Sequence, residues 1–443
     1  MDRFVHLHVA SGYSMQYGAS TPAALVARAA AFGQPALALT DRDGLYGAIR
    51  FVQACTAAGI DPILGVDLAV RPHPAADTTS SRSSRTAPEM SAGAAATAAA
   101  AAAARSRPRT PVRGGVLVDP RLPRVTVLAR GAGAGVAPGV GWARLCRLVT
   151  ATHLAGERGT PVTTTDLLRA AAAPSTPGDP APVCVLLGPD SDVGRAVLAG
   201  RKRDAYAALA RWRAVLPSDA LVLETVCHGG PEGTQGSLGQ AGRLLALGRE
   251  HGIPVVLTAA VRHADPAEAA TVDVLDAARR LVTLDVRHLD RVTTAGHLAP
   301  TAAMVATAHD VVQASGPGLG GGSTLVREGA VALLASTLAV AAECIQDPAV
   351  DLGIGGVHLP EHTALGMGLH EDPQRVLAER CRAALSTRYP GRSTAAVRSI
   401  GDRLEDELAV IATLGYPTYF LTVATVTDLI REMGVRVAAR GSG

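Results

Sequence analysis

Four side chains near the start of the chain have the types and spacing for metal chemistry: His6, His8, Asp41 and Asp67. Imidazole nitrogens and carboxylate oxygens are the donors a divalent ion takes from a protein, and several must converge to hold one. A separation of two puts His6 and His8 on one face if Phe4–Val9 is a strand. The apolar run Ala36-Leu-Ala-Leu-Thr40 has the length of a buried strand and delivers Asp41 to its C-terminal end; Pro62-Ile-Leu-Gly-Val-Asp67 does the same for Asp67. In parallel α/β folds, chemistry collects at those ends. Two histidines and two aspartates meeting there point to a metal centre or the remains of one.

The elements that must position them alternate to about residue 280. Further strands are expected at Arg124–Ala129, Val183–Leu187, Leu221–Val226 and Ile253–Thr258. Helices are expected over about 23–32, 142–152, 192–198, 203–215, 237–252 and 265–280. Such alternation predicts an α/β domain, wound or barrel-like. Residues 71–115 interrupt it with Ser, Thr, Arg and Pro around the tract Ala94–Ala104. The tract has no amphipathic face to dock, so a disordered insertion is expected. Later the pattern turns helical, at about 324–345, 371–389, 393–414 and on to 433, before a short strand at Val435–Val437. The domains are accordingly placed at 1–285, 286–370 and 371–443. The glycines of 315–323 follow no clear strand and lack a Walker lysine, and so read as a flexible linker.

The chain has 443 residues, enough for two or three domains. It is 48% hydrophobic but 3% aromatic, so its cores must be built from Ala, Val and Leu. Lys202 is the only lysine, and the net charge of +3 does not announce a nucleic-acid surface. Six cysteines lie scattered in the sequence with no close pair, which argues against a zinc ribbon or a disulfide framework and fits a reducing compartment. The N-terminus enters a strand directly, so no signal peptide is expected, and no window reaches the ~18 uninterrupted apolar residues expected of a membrane span. A cytoplasmic location is expected.

The order His6-Leu-His-x-x-Ser-x-Tyr-Ser14, Ala38-Leu-Thr-Asp41 and Gly59-Ile-x-Pro-Ile-x-Gly-Val-Asp67 resembles the PHP (polymerase and histidinol phosphatase) domain. More narrowly, it resembles the PHP domain that opens the alpha subunit of bacterial DNA polymerase III, a C-family polymerase. The resemblance implies a (β/α) barrel with seven strands. It also implies a damaged metal site. Ala10 stands where the family has a further His, Tyr17 where it has an Asp before Gly18, and Arg42 where it has a His after the Asp. In Val261-Arg-His263, Arg262 occupies another His slot. A guanidinium is a permanent cation and cannot donate to a metal. His6, His8, Asp41 and Asp67 are then the vestigial candidates at a site that holds Zn or Mn in intact members.

A second resemblance covers the end of the chain. Glu405-Asp-Glu-Leu-x-Val-Ile-x-x-Leu-Gly-Tyr-Pro-x-Tyr-Phe-Leu-x-Val423, with Asp428-Leu-Ile430 after it, is similar to the start of the C-family palm. In that family Arg440, Gly441, Ser442 and Gly443 would belong to a glycine-serine motif that approaches nucleotide phosphates. Backbone N–H groups and a hydroxyl bind phosphate best where no side chain blocks approach. The catalytic aspartates, which hold two Mg²⁺ ions, are expected beyond Gly443, so the chain reads as a truncated N-terminal part of a polymerase. DNA and dNTPs would be substrates of the full-length protein and accessory subunits its partners. The departures and the Arg/Ala-rich composition suggest the error-prone paralogue. Two other readings stand beside this one: a PHP-type phosphoesterase or proofreading exonuclease, and a non-catalytic docking module.

Overall fold

Six strands are found among the described residues: β1 (Ala36–Leu39), β2 (Asp61–Ala69), β3 (Arg124–Ala129), β4 (Val183–Leu187), β5 (Leu221–Val226) and β6 (Val255–Thr258). They form one sheet in sequence order, parallel except that β3 runs antiparallel to both neighbours. The computed structural model describes residues 3–71, 122–156, 159–281, 283–284, 294–316 and 324–438. The expected insertion beyond Arg71, the glycine-rich run beyond Gly316, and Arg440, Gly441, Ser442 and Gly443 lie outside the described residues.

The helices are α1 (Pro22–Ala31), α2 (Ala48–Ala58), α3 (Val140–Ala155), α4 (Thr165–Ala172), α5 (Asp192–Leu198), α6 (Lys202–Val215), α7 (Leu238–His251), α8 (Ala269–Arg280), α9 (Thr301–Ala314) and α10 (Thr324–Cys344). These belong to a unit spanning Met1–Ile354. A second unit, Gly355–Gly443, contains α11 (Pro373–Arg388), α12 (Thr394–Leu414) and α13 (Pro417–Glu432). Its small core joins Leu377, Ala378, Leu408 and Leu421. The α/β expectation holds, and the helix starts follow local chemistry. Thr21 caps α1 by accepting from Ala24 N, with Pro22 in the first turn.

Strand alternation sorts the sheet into two faces. Leu37, Leu64, Val66, Val125, Val127, Val185 and Leu223 belong to the large cluster shared with the surrounding helices. The alternate residues Ala38, Ile63, Leu128, Cys184, Leu186, Val222 and Val256 form a second cluster with Val340, Ala341 and Cys344 of α10. That inner face changes character along its length. Toward the carboxyl ends of the parallel strands the same register carries Thr40, Asp67, Thr126, Glu224 and Thr258. Helix α10 therefore fills the apolar end, leaving the polar end for a site.

Helix α10 is long and apolar enough to cross a membrane by length and composition. Here its stripe Val326, Ala330, Leu333, Thr337, Val340 and Cys344 is buried. Thr337 Oγ1 accepts the Leu257 N–H of β6 at 2.9 Å.

Two strand expectations need correction. Residues 435–437 form no strand, and the described part of their helical unit offers no ladder partner. The first segment is also not a regular strand, so six strands are seen where the resemblance implied seven. It makes isolated parallel bridges, His6 to Leu37 and Val9 to Val261. Ala38 N donates to His6 O and Thr40 N to Val9 O, so a step of three residues opposes a step of two. The extra residue is a bulge, and it breaks the ladder.

Candidate functional site

Of the four expected side chains, His8 and Asp67 meet at the polar end of the inner face, and Asp41 turns to the loop beside it. Asp41, just beyond β1, lies under the loop 11–18. Its carboxylate accepts from Ser11 N (2.7 Å), Ser11 Oγ (3.0 Å) and Ser14 Oγ (2.7 Å). Burial raises its pKa in spite of these hydrogen bonds. The loop closes tightly because residue 18 is glycine: a Cβ there would stand 2.1 Å from Ser11 O.

Asp67, at the same end of β2, is held by arginines. Arg124 Nε donates to its Oδ2 at 2.8 Å, and Arg42 Nε lies 3.2 Å from the same oxygen. Burial opposes its charge, but Arg124 and Arg42 outweigh that and lower its pKa. Arg124 also reaches Asp43 Oδ1 at 2.8 Å. Asp43 adopts φ 59° beside the site, and its carbonyl accepts from His153 Nε2 at 2.6 Å.

His8 meets a partner that the sequence reading did not single out. Its Nδ1 lies 2.8 Å from Glu224 Oε1, which also accepts from Thr258 Oγ1 at 2.5 Å. Burial opposes protonation of His8, yet Glu224 raises its pKa overall. Glu224 is 2% exposed on β5. Its signal was present in Leu221–Val226 as a lone carboxylate within an apolar strand, which burial tolerates only with partners.

His6 is not part of this group. Its Nε2 donates to Ala299 O at 2.9 Å, its Nδ1 is buried without a partner, and burial lowers its pKa to about 4. The bulge after it removes the strict alternation that would have placed it on the face of His8. The remaining strand-end histidines bond to backbone carbonyls, His228 to Ala259 O at 2.6 Å and His263 to Asp265 O at 2.7 Å.

Tyr17, which departs from the family pattern, touches two other departures, Arg42 and Arg262. The Tyr17 ring centroid lies 3.3 Å from Arg42 Cζ and 3.8 Å from Arg262 Cζ. Arg262 in turn binds Asp276 in bidentate fashion at 2.8 and 3.0 Å and donates to Tyr17 O. Among the described residues no group of three or more His, Cys, Asp or Glu side chains is disposed to hold a metal ion. Fixed cations stand against Asp67 and at two of the family's donor positions. This donor set does not fit a divalent ion.

Comparison with known families matches the PHP domain to residues 6–228 and the bacterial DNA polymerase III alpha NTPase domain to residues 375–443. A protein named error-prone DNA polymerase from Symbiobacterium thermophilum is 30% identical over 452 residues, covering 99% of the chain and 33% of its own length. One of the same name from Nocardia farcinica is 32% identical over 461 residues, covering 99% of the chain and 35% of its own length. The chain thus spans about a third of these relatives. Among solved structures, an amidohydrolase from Chromobacterium violaceum with bound sulfate and no metal aligns at 17% identity and a TM-score of 0.28, over 57% of this chain and 86% of that one. That likeness is too slight to bear on the fold.

Proposed function

The chain belongs to the PHP domain family, and from that premise we propose that it is the N-terminal part of a C-family DNA polymerase of the error-prone kind. The observation that carries this is the order of two matches in one chain, PHP over 6–228 and polymerase III alpha over 375–443. Alignment of 99% of the chain with error-prone polymerases supports the same reading. Residues 1–285 then form the PHP body, 286–370 the connection and 371–443 the start of the palm. The segment Phe4–Ala10 takes the place of the seventh barrel strand, since it bonds to β1 on one side and to Val261, just after β6, on the other.

In this reading the PHP mouth is structural. Guanidinium groups neutralise Asp67 in place of a metal, which speaks against a phosphoesterase or proofreading exonuclease of the PHP type. His8, Asp41 and Asp67 are what remains of the site. Arg440, Gly441, Ser442 and Gly443 approach the nucleotide phosphates. The acidic cluster that holds Mg²⁺ is placed beyond Gly443, where the bound ions would supply the charge against which pyrophosphate leaves. The longer protein acts in the cytoplasm on DNA and dNTPs, with polymerase accessory subunits as partners.

A chimera tests the assignment. This chain replaces the matching third of the Symbiobacterium thermophilum relative, and the product is assayed for primer extension on plain and lesion-bearing templates. Extension on both supports the reading. A folded chimera that extends neither template, beside an active parent, would refute it.

A further inference from the structure

We propose that Cys184 and Cys344 form an oxidisable pair which, on reaction with a hydroperoxide, closes a disulfide that bolts helix α10 to strand β4. The two residues are 160 apart in sequence, yet their sulfurs lie 3.8 Å apart. Cys184 belongs to the inner face of β4 and Cys344 ends α10; both are fully buried in the same apolar cluster. The bonded distance is about 2 Å, and the two sulfurs already lie in van der Waals contact.

The surroundings give the two thiols different roles. Arg130 is buried and pairs with Glu343, the residue before Cys344, at 2.8 Å. The hydrogen bond with Cys344 lowers the pKa of Cys184 against the burial that raises it, and Arg130 assists. The same hydrogen bond, with burial, raises that of Cys344. Cys184 is therefore the attacking sulfur and Cys344 the resolving one. The Cys184 thiolate attacks the O–O bond of hydrogen peroxide, forming a sulfenic acid while the leaving hydroxide takes up a proton as water. The Cys344 sulfur then attacks Cys184, the S–O bond breaks, and a second water leaves. Two thiols and one peroxide become one disulfide and two waters, with two electrons passing to the peroxide. The bolt would tie the helix that fills the apolar end of the inner face to the sheet it packs on. Closing so long a loop restricts the unfolded chain.

The test treats the reduced, full chain with hydrogen peroxide, alkylates it after denaturation, and maps the thiols by mass spectrometry. A dithiothreitol-sensitive peptide linking residues 184 and 344 is expected, with the other four cysteines alkylated. In Cys344→Ser the link is absent and dimedone traps a sulfenic acid on Cys184; in Cys184→Ser neither product forms. Recovery of both wild-type thiols in alkylated form, or linkage of Cys184 to a different cysteine, would overturn the proposal. The wild-type map decides the matter even if a variant fails to fold.

Discussion

Tyr17 carries two guanidinium groups on its ring, and each such contact in a partly desolvated setting is worth about 1 kcal/mol. Tyr17→Ala is therefore expected to lower the stability of the N-terminal unit by about 2 kcal/mol. Tyr17→Phe, which keeps the ring, should stay within about 0.5 kcal/mol of wild type; urea denaturation measures both. His6 supplies a prediction of pH dependence. Its pKa falls from the ordinary 6.5 to about 4 in the folded state, so between those values the unfolded chain binds a proton that the native one does not. Its contribution is present above pH 6.5 and is lost as pH falls toward 4, about 3 kcal/mol in all. His228 and His263 are lowered too and act in the same direction, while His8 is raised and acts in the opposite one. Comparing denaturation midpoints from pH 7 to pH 4 for wild type and His6→Gln isolates the His6 share: the variant should lose less stability on acidification. Equal losses would show that His6 is not held neutral. At this scale the sequence displayed Asp41, Asp67 and the intruding arginines plainly. It could not display the stack, because the meeting of residues 17, 42 and 262 is set by the fold and leaves no local spacing.

Strands β1 to β6 were legible because each is a short apolar run ending in polar or turn residues. The first segment was misread for an instructive reason. Phe4–Val9 alternates well enough to pass as a strand, and the interruption lies in its register against β1, where three residues face two. No property of a single segment records a bulge of that kind. The packing of α10 was equally hidden, although its apolar length was obvious. Thr337 sits in a helix yet accepts the N–H of Leu257 from β6. Thr337→Val keeps the shape but leaves that buried donor unpaired, which should cost about 1–3 kcal/mol. Amide exchange at Leu257 should quicken in the variant, measured by NMR or mass spectrometry. Unchanged protection there would mean that the helix does not hold the strand.

For the molecule as a whole, two family patterns in one order could be read from the sequence, as could the α/β class. The division of the inner face could not, because it depends on alternate residues of six strands meeting in space. The chain spans about a third of the error-prone polymerases it matches, and its charge of +3 gives little non-specific attraction to DNA. The 443-residue chain alone should therefore extend no primer with Mg²⁺ and four dNTPs, and gel shifts should register weak duplex binding. Template-dependent extension by the chain alone would mean that the catalytic aspartates lie within it. The central claim is narrower: guanidinium groups now occupy the mouth of the PHP body where a metal would sit. Metal content tests it most directly. The purified chain is loaded with Mn²⁺ or Zn²⁺, desalted, and measured by plasma mass spectrometry beside a His8→Ala, Asp67→Ala double variant. The expected result is far less than one ion per chain in both; one equivalent retained by the wild type and lost from the variant would contradict the account.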